Sequence, residues 1–147
     1  AALLGFLGGR FSAVHHDDDP RDHFALARMA MRARDFERAL SFAMAAYSGG
    51  GDPATTIDAC LLVSLLRSRR KEHAACLEIL RSGLEIAGYD DVLAARLHLA
   101  LAKLLEHRTR DFPAALEHAR LSARHDHLEV CSARIERLEA KCASVEQ

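Results

Sequence analysis

Asp35-Phe36-Glu37-Arg38-Ala39-Leu40 and Asp111-Phe112-Pro113-Ala114-Ala115-Leu116 are two copies of one phrase in a chain of 147 residues. Each copy follows one amphipathic stretch and opens another. A weaker copy, His73-Ala74-Ala75-Cys76-Leu77, lies between them, so that the spacings are 37 and 39 residues. Periods in this range are typical of stacked helical hairpins. The sequence therefore predicts an array of helix pairs, and such arrays usually serve as binding scaffolds.

The composition and the prolines favour an all-α protein. Leu, Ala, Arg and Glu form helices well and dominate the chain, which has six Phe, two Tyr and no Trp. All three prolines lie where helices are expected to start. Asp19-Pro20 and Asp52-Pro53 each read as an N-cap followed by the first helical residue, and Pro113 repeats this arrangement one residue later.

We expect three stacked antiparallel helical hairpins, forming a tetratricopeptide-like superhelix, and a C-terminal capping helix. The predicted ranges are 20–33 with 36–47, 53–69 with 72–87, 91–108 with 112–124, and about 127–144 for the capping helix. Residues 20–147 are assigned to this helical domain. Residues 1–19 form a separate apolar and acidic segment whose role the sequence does not define.

The last predicted helix carries a narrow apolar seam with spacings of three and four. Its members are Leu128, Cys131, Ile135, Leu138, Cys142 and Val145. One interpretation is a capping helix that covers the last hairpin, as helical arrays need for solubility. The alternative is a helix through which two copies of the chain form a homodimer.

Charge and cysteine usage limit the classes of function. The formal net charge of −1 argues against a protein built mainly to bind nucleic acid. The four cysteines form no CxxC pair and are expected to be reduced, packed thiols, which favours the cytoplasm. The apolar run of residues 1–7 is too short to cross a bilayer, so no membrane association is expected. Because the chain begins at Ala1, we expect a fragment or a processed product.

With the helices placed, the repeats resemble the tetratricopeptide family. In that family a small residue of the first helix packs against an alanine of the second, and an aromatic residue stands at the turn. The matching positions are Ala27, Phe36, Ala39 and Ala46, then Ser64, His73, Cys76 and Gly83, then Lys103, Phe112, Ala115 and Ser122. The chain lacks the family's early tryptophan, and Lys103 stands where a small residue is usual. The resemblance covers residues 22–124.

A narrower resemblance covers about 40 residues at the C-terminal end. The stretches 101–108, 111–112 and 134–141 look like the helical tail of bacterial ribonuclease-H-like exonuclease proteins, where a tetratricopeptide-like region follows a nuclease domain. The acidic catalytic motifs of the nuclease are not visible here. The resemblance therefore implies a non-catalytic accessory region or a stand-alone relative of it.

The resemblance to tetratricopeptide folds implies that the first helix of each pair lines a concave face. Mapped from the turn aromatics, the predicted partner-binding residues are Arg28, Met31, Arg32, Leu65, Arg69, His107 and Arg108. Arginines on one face could bind the carboxylates of an acidic protein segment through paired hydrogen bonds. The alternative is that they are solvated charges in last helical turns, where the helix dipole favours cations.

A second basic cluster, Arg67-Ser68-Arg69-Arg70-Lys71, could contact a nucleic-acid backbone. Its cations are Arg67, Arg69, Arg70 and Lys71, but no aromatic residue stands beside them and Glu72 follows directly, which favours an ordinary charged turn.

No zinc spacing, phosphate loop or catalytic motif is present in the sequence. His15-His16-Asp17-Asp18-Asp19 could hold a metal, but Asp19 is already expected to cap a helix. We therefore predict no enzyme activity, cofactor or metal.

Overall fold

The computed structural model describes residues 18–124 and 128–146, and side chains of the last segment from residue 131 onward. These residues form α-helices and turns and include no strand, which confirms the all-α prediction. The helices are α1 (Pro20–Arg32), α2 (Phe36–Ser48), α3 (Pro53–Arg69), α4 (His73–Ala87), α5 (Asp91–Leu104), α6 (Phe112–Ala123) and α7 (Leu128–Val145). A π-helical turn, Leu105–Thr109, continues α5. Helix packing is consistent with a stack of hairpins.

Aspartates set the start of most helices. The backbone N–H of Arg21 donates to the carboxylate of Asp19 at 2.9 Å, and that of Thr55 donates to Asp52 at 3.0 Å. In the two copies of the repeated phrase, Asp35 and Asp111 each accept from the backbone N–H three residues later, at 3.2 Å. These bonds satisfy N–H groups that the first helical turn leaves without an intrahelical partner. The phrase is therefore a capped helix start.

The turns before α2, α4 and α6 share one backbone conformation. Each contains a basic residue with positive φ, namely Arg34 at 59°, Lys71 at 63° and Arg110 at 58°. The backbone N–H of the acidic residue that follows then donates to a carbonyl of the preceding helix. These three bonds run from Asp35 to Ala30 at 2.9 Å, from Glu72 to Arg67 at 3.0 Å and from Asp111 to Leu105 at 3.0 Å. The third turn encloses one more residue because of the π-helical turn.

The described residues fall into two compact units, one ending at Leu66 and the other beginning at Arg67. In the first unit α1 packs against α2. Small side chains dominate the buried faces: Ala27 and Ala30 of α1, and Ala39, Ala43 and Ala46 beside Phe42 of α2. Such small residues let two helix backbones approach closely. Helical spacing predicts Phe24, Ala27, Ala30 and Met31 on the apolar face of α1, but Phe24 and Met31 are only half-buried and His23 is buried instead.

Pro20, the first residue of α1, lies against Gly49 and Gly51, which follow α2. A Cβ atom added to Gly49 would lie 2.6 Å from Cγ of Pro20, and one added to Gly51 would lie 3.1 Å from its Cβ. Glycine is therefore required at position 49 by lack of space. The sequence indicated only a linker in this stretch.

In the second unit α4 packs against α5, α5 against α6, and α6 against α7. A buried cluster joins the last three of these helices and the π-helical turn, with Ile135 packed against it. Its members are Ala102, Leu105, Ala115, Ala119 and Leu138. Of the predicted seam, Cys131 and Leu138 are buried whereas Val145 is 70% exposed; the side chain of Leu128 lies outside the described residues. The seam is thus used inside the chain, which favours the capping interpretation over the dimer.

Candidate functional site

In the first unit, Arg28 and Arg32 lie on the exposed side of α1. His23, Ala27 and Ala30 mark its buried side, and at about 100° per residue the two arginines project roughly opposite to it. They are one turn apart, so their side chains are neighbours. Within the part of the chain that the structure describes, no carboxylate pairs with either guanidinium, in contrast to Arg21, whose Nε lies 3.1 Å from Asp52.

Apolar surface accompanies these arginines. Met29, between them in sequence, is 47% exposed. Leu65, which lies on α3 and not on the helix of these arginines, is 53% exposed. Met31 is half-buried. Exposed apolar side chains beside cations are the kind of surface that binds an amphipathic or extended segment. Sequence reasoning identified Leu65 and Met31 but missed Met29.

In the second unit, the predicted partner-binding residues are Arg69, His107 and Arg108. All three are exposed, but His107 has an internal partner: its Nε2 lies 3.5 Å from Oε2 of Glu106. Arg69 ends α3 and Arg108 lies in the π-helical turn. His107 is therefore part of an internal charge cluster, which weakens its prediction as a binding residue.

The basic run at residues 67–71 is a helix end and a turn. Arg67 donates from Nη1 to Glu72 at 2.9 Å, and Nη1 of Arg70 lies 3.9 Å from the same carboxylate. Lys71 occupies the positive-φ position of the turn. Two of the four cations thus lie beside one carboxylate, which lowers the charge available to a nucleic-acid backbone. This geometry favours the charged-turn interpretation.

The strongest polar cluster of the described residues surrounds Glu106, in the π-helical turn. Its side chain is fully buried, and three cations of α7 bind it. Arg137 donates from Nε at 2.7 Å and from Nη2 at 3.1 Å, Lys141 donates from Nζ at 2.9 Å, and Arg134 donates from Nη1. Lys141 also lies 5.2 Å from the ring centroid of Phe112, a cation–π contact. The cluster ties α7 to the turn that opens α6.

The hydrogen bonds and charges around Glu106 act on its ionisation. Hydrogen bonding to Arg137, opposed by desolvation and reinforced by Lys141, lowers the pKa of Glu106 from 4.5 to about 2. The same pairing raises the pKa of Arg137. Glu106 therefore stays ionised near neutral pH, with its carboxylate oxygens occupied by the three cations of α7.

Sequence reasoning missed this cluster. Glu106 and His107 are adjacent in sequence, so on a helix they point about 100° apart and make a poor acid–base pair. This spacing does not exclude a buried role for Glu106. One sequence feature could have indicated the cluster. Arg134, Arg137 and Lys141 are three and four residues apart along the helix that carries the apolar seam, so they lie on one face.

A histidine pair links α5 and α6. Nδ1 of His98 lies 2.9 Å from Nδ1 of His118, so one ring donates and the other accepts, and the rings are stacked with centroids 5.1 Å apart. Burial lowers the pKa of both histidines, and the neighbouring His118 lowers that of His98 further. The contact therefore favours two neutral rings, and protonation of either ring at low pH opposes it.

The run His15-His16-Asp17-Asp18-Asp19, for which we predict no metal, lies mostly outside the described residues, since His15, His16 and Asp17 are not among them. Among residues 18–124 and 128–146, no group of three or more His, Cys, Asp or Glu side chains is arranged to hold a metal ion. Within the same ranges, no helix is both long enough and apolar enough to cross a membrane.

No protein-family model matches the chain, and neither a curated protein nor a solved structure matches it. The two resemblances drawn from the sequence therefore stay predictions. Any function has to be argued from the side chains themselves.

Proposed function

We propose that the chain is a protein-interaction scaffold that binds an acidic segment of a partner protein through the exposed side of α1. The observation that carries this proposal is the pair Arg28 and Arg32, one turn apart, exposed, and without a carboxylate partner among the described residues. Met29 adds exposed apolar surface beside them. The partner's carboxylates would accept paired hydrogen bonds from the two guanidinium groups.

The helix dipole does not account for both arginines. Arg32 is the last residue of α1, where a cation interacts favourably with the helix C-terminus. This effect fades beyond the last turn, and Arg28 lies four residues earlier. The helix dipole thus engages Arg32, while the guanidinium of Arg28 stays available to a ligand. The cytoplasm stays the proposed location, because none of the four cysteines forms a disulfide.

Charge reversal tests this proposal. The probe is a fluorescein-labelled octapeptide of alternating Glu and Leu, and its binding is measured by fluorescence anisotropy. The double variant Arg28→Glu/Arg32→Glu is expected to lose at least about tenfold in affinity, because hydrogen bonds between charged groups are worth about 1.5–3 kcal/mol each. Its melting temperature should stay close to that of the wild type, since both side chains are exposed.

A control is Lys103→Glu/Arg124→Glu, which makes the same change of charge at two exposed positions of the second unit. Equal losses of affinity in both double variants would show a general charge effect and refute the assignment to α1. Unchanged affinity in the α1 variant would refute it directly.

A further inference from the structure

A cavity in the first unit contains a buried histidine that has no hydrogen-bond partner among residues 18–124 and 128–146. The cavity has a volume of about 540 Å³, within the range of small-molecule sites. His23 of α1 lines it, and its side chain is 3% exposed. Among the described residues, neither ring nitrogen has a hydrogen-bond partner. A buried polar group left in this state costs stability, so such a residue calls for an explanation.

The charge beside His23 is negative. Oδ2 of Asp18 lies 3.8 Å from Nε2 of His23, beyond hydrogen-bond distance, and the Asp18 side chain is 49% exposed on the cavity. Among the described residues, no arginine or lysine pairs with Asp18. The cavity therefore offers a carboxylate without a strong cationic partner next to an imidazole that has an unused acceptor nitrogen in its neutral form.

The rest of the cavity wall combines hydroxyl groups with apolar surface. Ser41 and Ser48 contribute hydroxyls, and the hydroxyl of Ser41 donates to the carbonyl of Glu37 at 3.2 Å, which leaves its oxygen free to accept. Met44 and Ala45 line the remainder. Such a wall suits a ligand with several N–H donors at one end and a short alkyl chain at the other.

We infer that this cavity binds a primary alkylammonium group, supplied by a small free amine or by a lysine side chain. The ammonium donates to the carboxylate of Asp18 and to the acceptor nitrogen of His23, and the alkyl chain lies against Met44 and Ala45. Three N–H donors on one nitrogen match the several acceptors of the site. Binding thus gives one of the two unpaired ring nitrogens of His23 a hydrogen bond. This site is separate from the exposed side of α1.

The test is a titration with n-butylammonium, which matches the ammonium end and stem of a lysine side chain, followed through the ring ¹⁵N resonances of His23. These resonances should shift and saturate. The neutral control n-butanol has a similar shape and should bind more weakly.

Asp18→Asn should weaken n-butylammonium binding at least about tenfold, as expected for one charge-assisted hydrogen bond. Nα-acetyl-lysine methylamide separates the two sources: binding as tight as that of n-butylammonium identifies a lysine side chain, and no binding identifies a small free amine.

A second variant tests the unpaired nitrogens of His23 directly. His23→Phe retains the ring stacked on Phe42, at a centroid distance of 6.4 Å, and removes both unpaired nitrogens. It should melt at a higher temperature than the wild type while no longer binding n-butylammonium. A lower melting temperature would show that the nitrogens of His23 have partners in the native protein. That result would overturn the inference, as would equal binding of n-butanol or an unchanged affinity in Asp18→Asn.

Discussion

Replacing Glu106 by glutamine should remove much of the attachment of α7 to the second unit. Glutamine has nearly the same volume as glutamate but no charge, so Arg134, Arg137 and Lys141 would be left around a neutral, fully buried amide. Breaking a buried ion pair on one side typically costs about 3–5 kcal/mol. We therefore expect Glu106→Gln to lower the free energy of unfolding at pH 7 by about 3 kcal/mol.

The lowered pKa gives an independent value for the same quantity. The pKa of Glu106 falls from 4.5 to about 2 on folding, and each unit corresponds to about 1.4 kcal/mol, so ionisation contributes about 3 kcal/mol. Because the folded pKa is the lower one, this stability is complete above pH 4.5 and is lost as the pH falls toward 2. The difference between wild type and variant should therefore shrink between pH 7 and pH 3.

Urea denaturation followed by circular dichroism at pH 7 and pH 3 measures both effects. The matched control is Glu139→Gln, because Glu139 also pairs with an arginine, Arg120 at 2.9 Å, but both partners are about half exposed. Exposed pairs contribute about 0–1 kcal/mol, so this control should change little. If Glu106→Gln cost no more than Glu139→Gln at pH 7, or if its cost were the same at pH 3, the argument from burial would be wrong.

Three further perturbations have defined outcomes. Gly49→Ala should destabilise the first unit by about 1–3 kcal/mol, because its Cβ would lie 2.6 Å from Pro20; thermal unfolding measures this, and an unchanged melting temperature would contradict the contact. The pKa values of His98 and His118 are lowered by burial, so stability should fall as the pH drops below about 6.5, and His98→Gln should reduce this dependence. Asp111→Ala removes the N-cap of α6 and should cost about 1 kcal/mol in urea denaturation; a loss near zero would show that the cap is dispensable.

The helix ends could be predicted because they depend on local chemistry. Asp19 and Asp52 followed by proline, and Asp35 and Asp111 in the repeated phrase, satisfy backbone N–H groups two or three residues away. The pattern needed to recognise them lies within a few residues of sequence. The predicted and observed bounds of α3 are the same, 53–69.

The parts that could not be predicted depend on contacts between distant residues. Glu106 and its three cations are separated by 28 to 35 residues. Its burial also depends on the π-helical turn, whereas the sequence was interpreted as one regular helix through residue 108. On α1 the assumed phase was slightly wrong, so that His23 was left out of the buried face and the cavity was not foreseen. The exposure of Arg28 follows from the period of an amphipathic helix, whereas its role in binding a partner stays a prediction.

The π-helical turn at Leu105–Thr109 has a consequence for the evolution of the chain. It holds one residue more than the corresponding turns before α2 and α4, and would appear in an alignment of homologues as a single-residue gap. Deleting that residue would rotate α6, and α7 with it, relative to the carboxylate of Glu106. Homologues that lack the extra residue are therefore expected also to lack the acid at position 106 and the three bases that bind it, so that the insertion and all four charges are gained or lost together.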